Sequence, residues 1–446
     1  MTNILLIGCG AREHAIAEAI MRSHERPSIY AVMAWKNPGI IKLCADYIIA
    51  AYNDFKALEI LAIKIKPEFC MIGPEAPLVE GVVDFLEGIG VPCVGPKKEL
   101  AQLESSKSFT RNLMHKHKIQ GLPKFHVFDS YDGIEEYLDL LEEEGLGFVI
   151  KPDGLTGGKG VMVQDDHLKD KAEAALYCKK NLAKGGLVIE EKLQGEEFSL
   201  QCFTDGKTVI GMPPVQDHKR AFEDDKGPNT GGMGSYSMEN HLLPFINEMH
   251  VSEALDITQR VLDALRQETG EYYKGIMYGG FMLTNKGVKL IEYNARFGDP
   301  ETMNVLPIMV TDFVEVCRAI VQQKLQEMEI VFESKATVCK YAVPEGYPDN
   351  PRRGEKISIG NIGREAKTYF ASVQQDEHDA SDSGQVIMLG SRAIACVGIA
   401  NTVHEAERIA EHAVARIQGP VFHRKDIGTQ ALLQKRIDHM EKLAKR

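Results

Sequence analysis

The stretch Val288-Lys289-Leu290-Ile291-Glu292-Tyr293-Asn294-Ala295-Arg296-Phe297-Gly298-Asp299-Pro300-Glu301-Thr302 constrains this chain more than any other. Its first half alternates like a β-strand, which predicts Lys289, Ile291 and Tyr293 on one face and Leu290, Glu292 and Asn294 on the other. A carboxylate and an amide oxygen two residues apart on one strand face can share a hard cation, and Mg²⁺ takes such oxygens together with phosphates. Arg296 can present its planar fork to a carboxylate or phosphate beside that metal. A strand with a solvated polar face is the plain alternative. The run Arg-Phe-Gly-Asp-Pro-Glu-Thr that follows weighs against it, because a surface strand seldom ends in so much charge, turn chemistry and an aromatic. Gly275 to Thr284 reads as the paired strand across the turn Asn285-Lys286-Gly287. It carries no acid, so a second metal would need ligands from elsewhere.

A chain of 446 residues is too long for one core and suggests about three domains. With 44% hydrophobic and 26% charged residues it is globular, and a net charge of -12 argues against nucleic acid or an anionic membrane surface as the main partner. Nine scattered cysteines, none in a Cys-x-x-Cys pair, read as apolar fillers in a reducing compartment. The N-terminus lacks the features of a signal peptide and no apolar run is long enough to span a membrane, so the expected location is the cytoplasm.

Asn3-Ile4-Leu5-Leu6-Ile7, then Gly8-Cys9-Gly10, then the helical spacing of Ala11 to Ile20 make an anion site, since free N–H groups and the helix dipole point at the turn. A nicotinamide or flavin cofactor fits poorly. Glu13 stands where the third glycine of that fingerprint belongs, and no acid closes the next strand, Ile29 to Ala34. Arg12 and His14, in the first turn, could instead hold a phosphate monoester. A second strand ends in Gly73-Pro74-Glu75-Ala76-Pro77-Leu78, and the two loops can line one crevice.

Lys151-Pro152-Asp153-Gly154-Leu155-Thr156-Gly157-Gly158-Lys159-Gly160 departs from a Walker loop at Asp153 and Gly160. With strand signals on both sides it reads as a hairpin flap whose amides close over phosphates while Lys151 and Lys159 balance charge. Beyond Leu187 to Leu193, backbone groups could read an adenine edge and a nearby carboxylate could take ribose hydroxyls. Gly227-Pro228-Asn229-Thr230-Gly231-Gly232-Met233-Gly234 is too glycine-rich for regular structure and is expected to wrap a ligand. His218 is assigned no chemistry. Residues 331 to 446 hold strand signals at Ala336 to Val343 and Ala393 to Ile399 and a helix from Val403 to Ile417, with no separate chemistry.

Together these motifs, with Gln-Asp-His-Lys-Arg from Gln216, resemble the ATP-grasp superfamily and within it the phosphoribosylamine–glycine ligase family, across nearly the whole chain. The resemblance implies an α/β chain with an ATP-grasp fold: an N-terminal Rossmann-like domain over 1–104, a core over 105–122 and 194–330, a lid over 123–193 and a small α+β C-terminal domain over 331–446. It implies ATP-dependent ligation of glycine to 5-phosphoribosylamine through glycyl phosphate, in purine synthesis, with Mg²⁺ as cofactor and Mn²⁺ as its alternative. On this view Glu292 and Asn294 hold the metal, and Arg296 and Lys151 act on the transferring group. ATP would contact Lys107, Lys151, Gly157, Gly158, Lys159, Glu190, Glu191, Leu193 and Glu197. The other substrates would contact Gly8, Gly10, Arg12, Glu13, His14, Gly73, Pro74, Glu75, Asp217, Lys219, Thr230, Gly231 and Arg296. A monomer is expected, with a weak homodimer as the alternative. Ala11, Trp35, Pro152 and the run from Cys339 to Pro344 depart from the family's usual pattern, and none is a proposed ligand. A ligase for another carboxylate and amine, or a nucleotide-binding regulator without turnover, are the competing readings; the regulator would not need Glu292, Asn294, Arg296 and Lys151 together.

Overall fold

The computed structural model describes residues 2–155, 160–183, 185–375 and 384–445. The N-terminal part is a five-stranded parallel sheet ordered Asp46–Ile49, Ser28–Met33, Asn3–Ile7, Phe69–Ile72, Cys93–Val94. The central strand is almost wholly apolar because helices cover both of its faces. Chain order reverses between Asn3–Ile7 and Phe69–Ile72, and at such a switch point the loops beyond the strand ends splay apart to leave a crevice. The Gly8 and Gly73 loops flank it.

The middle of the chain centres on an antiparallel sheet ordered Val209–Gly211, Glu196–Asp205, Lys274–Thr284, Gly287–Asn294. Its last hairpin turns at Asn285-Lys286, as the sequence predicts. The alternation read over Val288–Asn294 does not hold throughout. Gly280 pairs with Glu292 and Phe281 with Leu290, so Ile291 is an extra residue, a β-bulge. Past the bulge the phase shifts. Leu290 is therefore buried in the core with Tyr293, not on the face of Glu292 and Asn294. Those two keep their shared side, because both lie beyond the bulge.

The lid is a separate sheet, Phe125–Phe128, Leu187–Glu191, Phe148–Pro152, Met162–Val163, backed by helices Ile134–Glu143 and Lys171–Leu182 and closed around its own apolar core. Val149 pairs antiparallel with Val163 and Ile150 with Met162, so the two strands that flank the glycine-rich segment are paired as the arms of a hairpin. The third part joins Gln216–Asp217 and Gly234–Ser237 to Ala336–Pro344, Ile394–Ala400 and Ala366–Phe370 in one sheet. The glycine-rich segment at 227–234 is thereby anchored in the C-terminal sheet. No helix among the described residues is long and apolar enough to cross a membrane. All nine cysteines are free, and all but Cys44 are buried.

Candidate active site

At the crevice, Glu13 fills the space between the two glycine loops. A Cβ at Gly8 would fall 2.3 Å from its Cγ, and one at Gly73 2.2 Å from its Oε1. Its Oε2 accepts the Gly10 N–H at 2.5 Å and its Oε1 the Arg12 Nε–H at 2.6 Å. This carboxylate occupies the room a dinucleotide fingerprint keeps open with its third glycine. It supports the crevice wall, with both oxygens engaged by protein donors. Pro74 closes over Gly8 on the same wall.

His14 also has a different place. Its Nδ1 accepts the Phe370 N–H at 3.0 Å, its ring stacks on Phe370, and its edge fills the space above Gly39. Burial pushes its pKa down to about 4, so it is a neutral peg between the N- and C-terminal parts. A folded-state pKa below the usual 6.5 means that the unfolded chain takes up the proton first. The stability present above pH 6.5 is lost as pH falls toward 4. Relative to a His14→Asn variant, which keeps an acceptor there, the unaltered protein should lose on the order of 3 kcal/mol across that window, read by thermal unfolding at stepped pH. Equal pH profiles would contradict this role.

Arg12 does face the crevice. Its Nη1 donates to the Phe297 carbonyl at 3.1 Å and its Nη2 lies 4.0 Å from Glu75. Glu75 accepts from Arg296 Nε at 3.3 Å. Although burial works against ionisation, Arg296 and Arg12 hold the Glu75 carboxyl at about 2. Arg296 further donates to Asn294 Oδ1 at 3.2 Å and pairs with Glu104 at 3.0 Å. Glu104, whose other oxygen accepts the Ala295 N–H at 2.7 Å, is a site residue the sequence did not reveal.

On the lid side, the bulge at Ile291 releases a carbonyl from the ladder. That oxygen accepts Lys151 Nζ at 3.1 Å and Arg111 Nη2 at 2.6 Å. Glu190 sits between the same two cations, bidentate to Arg111 at 2.6 and 3.0 Å and 2.7 Å from Lys151. It is only 3% exposed, so it anchors the cations and is not free to take ribose hydroxyls. Burial lowers the Lys151 pKa, against the pull of Glu190. Glu191 is also engaged, its Oε1 accepting the Lys124 N–H at 2.8 Å. The backbone amide and carbonyl of Leu193 form no hydrogen bond with another described residue. Glu197 is exposed and 3.4 Å from Lys219.

Lys107 Nζ donates to the Gly154 carbonyl at 2.8 Å, at the base of the flap. Asp153 accepts the Lys107 and Ser108 N–H groups at 2.6 and 3.3 Å and so caps helix Lys107–Lys116 from across the lid. Asp153→Ala should cost about 1–2 kcal/mol in chemical denaturation, as other lost caps do, and raise the ATP KM. Unchanged stability would rule out this anchoring. Gly157, Gly158 and Lys159 lie outside the described residues.

Glu292 takes no hydrogen bond or salt bridge from any described residue. Although burial opposes it, Lys219, Lys151, Lys107 and Arg296 hold its pKa below the usual value, so it is an ionised carboxylate with open valences. With the Asn294 oxygen it is a donor set suited to Mg²⁺. Across from Glu292 stands Gly280, whose lack of a side chain leaves the carboxylate uncovered.

The remaining corner comes from the C-terminal sheet. Arg392 Nη1 donates to the carbonyls of Gly231 at 2.6 Å and Gly232 and Asp299 at 3.0 Å, and its guanidinium lies over Tyr341. Tyr341 donates to Asp299 at 2.6 Å. The C-terminal part thus places two residues, Arg392 and Tyr341, against this corner of the site. Thr230 is a fastener, its N–H and hydroxyl both donating to the Lys219 carbonyl, at 2.7 and 2.8 Å. His218 is buried behind Asp217 and Lys219, and burial holds it neutral at about 3.

Family sequence models match the chain in three blocks: "Phosphoribosylglycinamide synthetase, N domain" over residues 2–104, its "ATP-grasp (A) domain" over 105–302 and its "C domain" over 337–430. A phosphoribosylamine–glycine ligase of Methanocaldococcus jannaschii is 50% identical over 99% of both chains. One of Methanosarcina acetivorans is 48% identical over 99% of this chain and 97% of its own. The crystal structure of phosphoribosylamine–glycine ligase from Thermotoga maritima superposes with a TM-score of 0.78 at 27% identity, covering 96% of this chain and all of that one. A biotin carboxylase domain from Hydrogenobacter thermophilus shares the fold at a TM-score of 0.68 and 16% identity.

Proposed function

Because the chain belongs to the phosphoribosylglycinamide synthetase family, we infer that the crevice and the lid hold the two ends of one reaction. The protein is an ATP-dependent ligase that joins glycine to 5-phosphoribosylamine in purine biosynthesis, giving glycinamide ribonucleotide, ADP and phosphate. The observation that carries the site assignment is the convergence of Glu292, Asn294 and Arg296 at one strand end, between the lid cations and the crevice.

On this assignment ATP lies under the lid, its phosphates near Lys151, Lys107 and the flap, its base against the open backbone at Leu193 and its ribose near Glu197. Mg²⁺ on Glu292 and Asn294 would offset charge on the phosphate oxygens. Arg296 orients the glycine carboxylate in line with the γ-phosphate. An oxygen of that carboxylate attacks phosphorus, the bond to ADP breaks, and glycyl phosphate remains. The amine of phosphoribosylamine, held by the Gly8 and Gly73 loops with Arg12, then attacks the acyl carbon. Phosphate leaves with the carboxylate oxygen and the amine loses a proton. No side-chain nucleophile is needed, so the residues act by positioning and by charge. The free cysteines suit a reducing cytoplasm.

Phosphate release from Mg-ATP tests this reading. It should require glycine and phosphoribosylamine together, with other amino acids inert. Release supported by a different amine or carboxylate would favour a related ligase, and none with any pair would leave a nucleotide-binding protein.

A further inference from the structure

Glu292 and Asn294, to which the proposed reaction assigns the metal, owe their orientation to the β-bulge just before them. In an unbroken strand they would share a face with Val288 and Leu290, both of which lie in the hydrophobic core. The extra residue Ile291 turns them to the opposite side. A bulge also takes backbone groups out of the ladder, and a buried carbonyl left without a donor is unfavourable. Something must therefore hold this one in place.

One side chain does so. Arg111, on helix Lys107–Lys116 and 2% exposed, donates from Nη2 to the Leu290 carbonyl at 3.2 Å and to the Ile291 carbonyl at 2.6 Å. The same guanidinium grips Glu190 on the lid strand Leu187–Glu191, through Nε at 2.6 Å and Nη2 at 3.0 Å. Glu190 in turn lies 2.7 Å from Lys151 on the adjacent lid strand. A bolt between lid and core would need only the pair with Glu190. The two carbonyl contacts do more, because they fall on the residues immediately before Glu292. Lys151 also reaches the Ile291 carbonyl, at 3.1 Å, but a single ammonium cannot span both carbonyls and both oxygens of Glu190.

We propose that Arg111 is a positioning residue for the reaction, acting through the bulge and not on any substrate. It fixes the turn of backbone that presents Glu292 and Asn294 to the metal, and it ties the lid carboxylate that holds Lys151 to that same backbone. One guanidinium thereby keeps the metal ligands and the phosphate-binding lysine in register across the hinge between lid and core.

Calorimetric binding of a non-hydrolysable ATP analogue, with Mg²⁺ and with chelator, tests this in Arg111→Lys. Lysine keeps a charge for Glu190 and loses the planar fork. The gain in affinity that Mg²⁺ gives the unaltered protein should shrink by about 10- to 100-fold, the usual cost of altering a group that orients a metal ligand. In turnover the Mg²⁺ needed for half-maximal rate should rise by a similar factor, and excess Mg²⁺ should recover much of the rate. The KM values for glycine and phosphoribosylamine should stay within about twofold. A purely structural bolt would lower the unfolding temperature and leave the Mg²⁺ gain intact. Should the lysine variant fail to fold, Arg111→Met carries the same test, because Lys151 still neutralises Glu190 there. Glu292→Gln separates two failures. A normal Mg²⁺ gain in folded Arg111 variants, beside a Glu292→Gln protein that has lost it, would overturn the role of Arg111 alone. A normal gain in all of them would overturn the metal assignment and this inference with it.

Discussion

Arg296→Ala should lower kcat by about three orders of magnitude, the scale seen when a guanidinium that stabilises a transferring phosphoryl group is removed. The reason lies in its surroundings. The guanidinium is fixed by Asn294 at 3.2 Å and by buried Glu104 at 3.0 Å, while its second carboxylate partner, Glu75, is on a partly exposed side chain. Substrate carboxylate can displace Glu75 without disturbing the other two contacts. Alanine would leave Glu104 buried without its cation, so loss of fold must be separated from loss of chemistry. Arg296→Lys serves for that. It keeps the charge for Glu104 but not the planar fork, and it should remain folded, bind ATP normally and still lose most of its turnover. Activity near that of the unaltered enzyme in Arg296→Lys would show that charge alone suffices.

Glu292→Gln should have an effect of similar size, about 10³-fold at ordinary Mg²⁺. The carboxylate has no hydrogen-bonding protein partner to lose, but its lowered pKa means that the surrounding cations favour the ionised form in the fold, so stability should fall slightly. Its four surrounding cations are poised against phosphate and metal, and without the carboxylate the metal loses its only charged protein ligand in the proposed pair. The variant should need far more Mg²⁺ for half-maximal rate, with glycine KM little changed. Removing divalent metal with chelator should abolish turnover in the unaltered enzyme, and Mg²⁺ or Mn²⁺ should restore it. Normal Mg²⁺ dependence in Glu292→Gln would move the metal to other ligands.

Much of this was legible locally. The switch-point crevice, the flap hairpin and the Gly275 to Asn294 pairing follow from strand-length apolar runs punctuated by glycine, signals that lie within a few residues. The alternation at Leu290 failed because a bulge adds one residue with no sequence mark of its own, yet that bulge supplies the Ile291 carbonyl to Lys151 and Arg111. Arg111 stands four residues after Lys107, the spacing that puts both on one helix face, and could have been found. Glu104 and Arg392 could not, because their roles depend on contacts 192 and 93 residues away in sequence, read from Glu104 to Arg296 and from Arg392 to Asp299. Glu13, His14 and Glu190 have protein partners that the sequence did not reveal. Sequence shows that a charged residue sits in a motif, while only packing shows that its polar atoms are already satisfied.

The central claim is that glycine is activated through its own carboxylate, and the fate of a carboxylate oxygen tests it most directly. Glycine labelled with heavy oxygen in both carboxylate positions should yield phosphate carrying one heavy atom per turnover and product amide carrying the other. Phosphate free of label, with both heavy atoms accounted for elsewhere, would contradict attack of the carboxylate on ATP and with it the roles given to Arg296 and the Glu292–Asn294 pair.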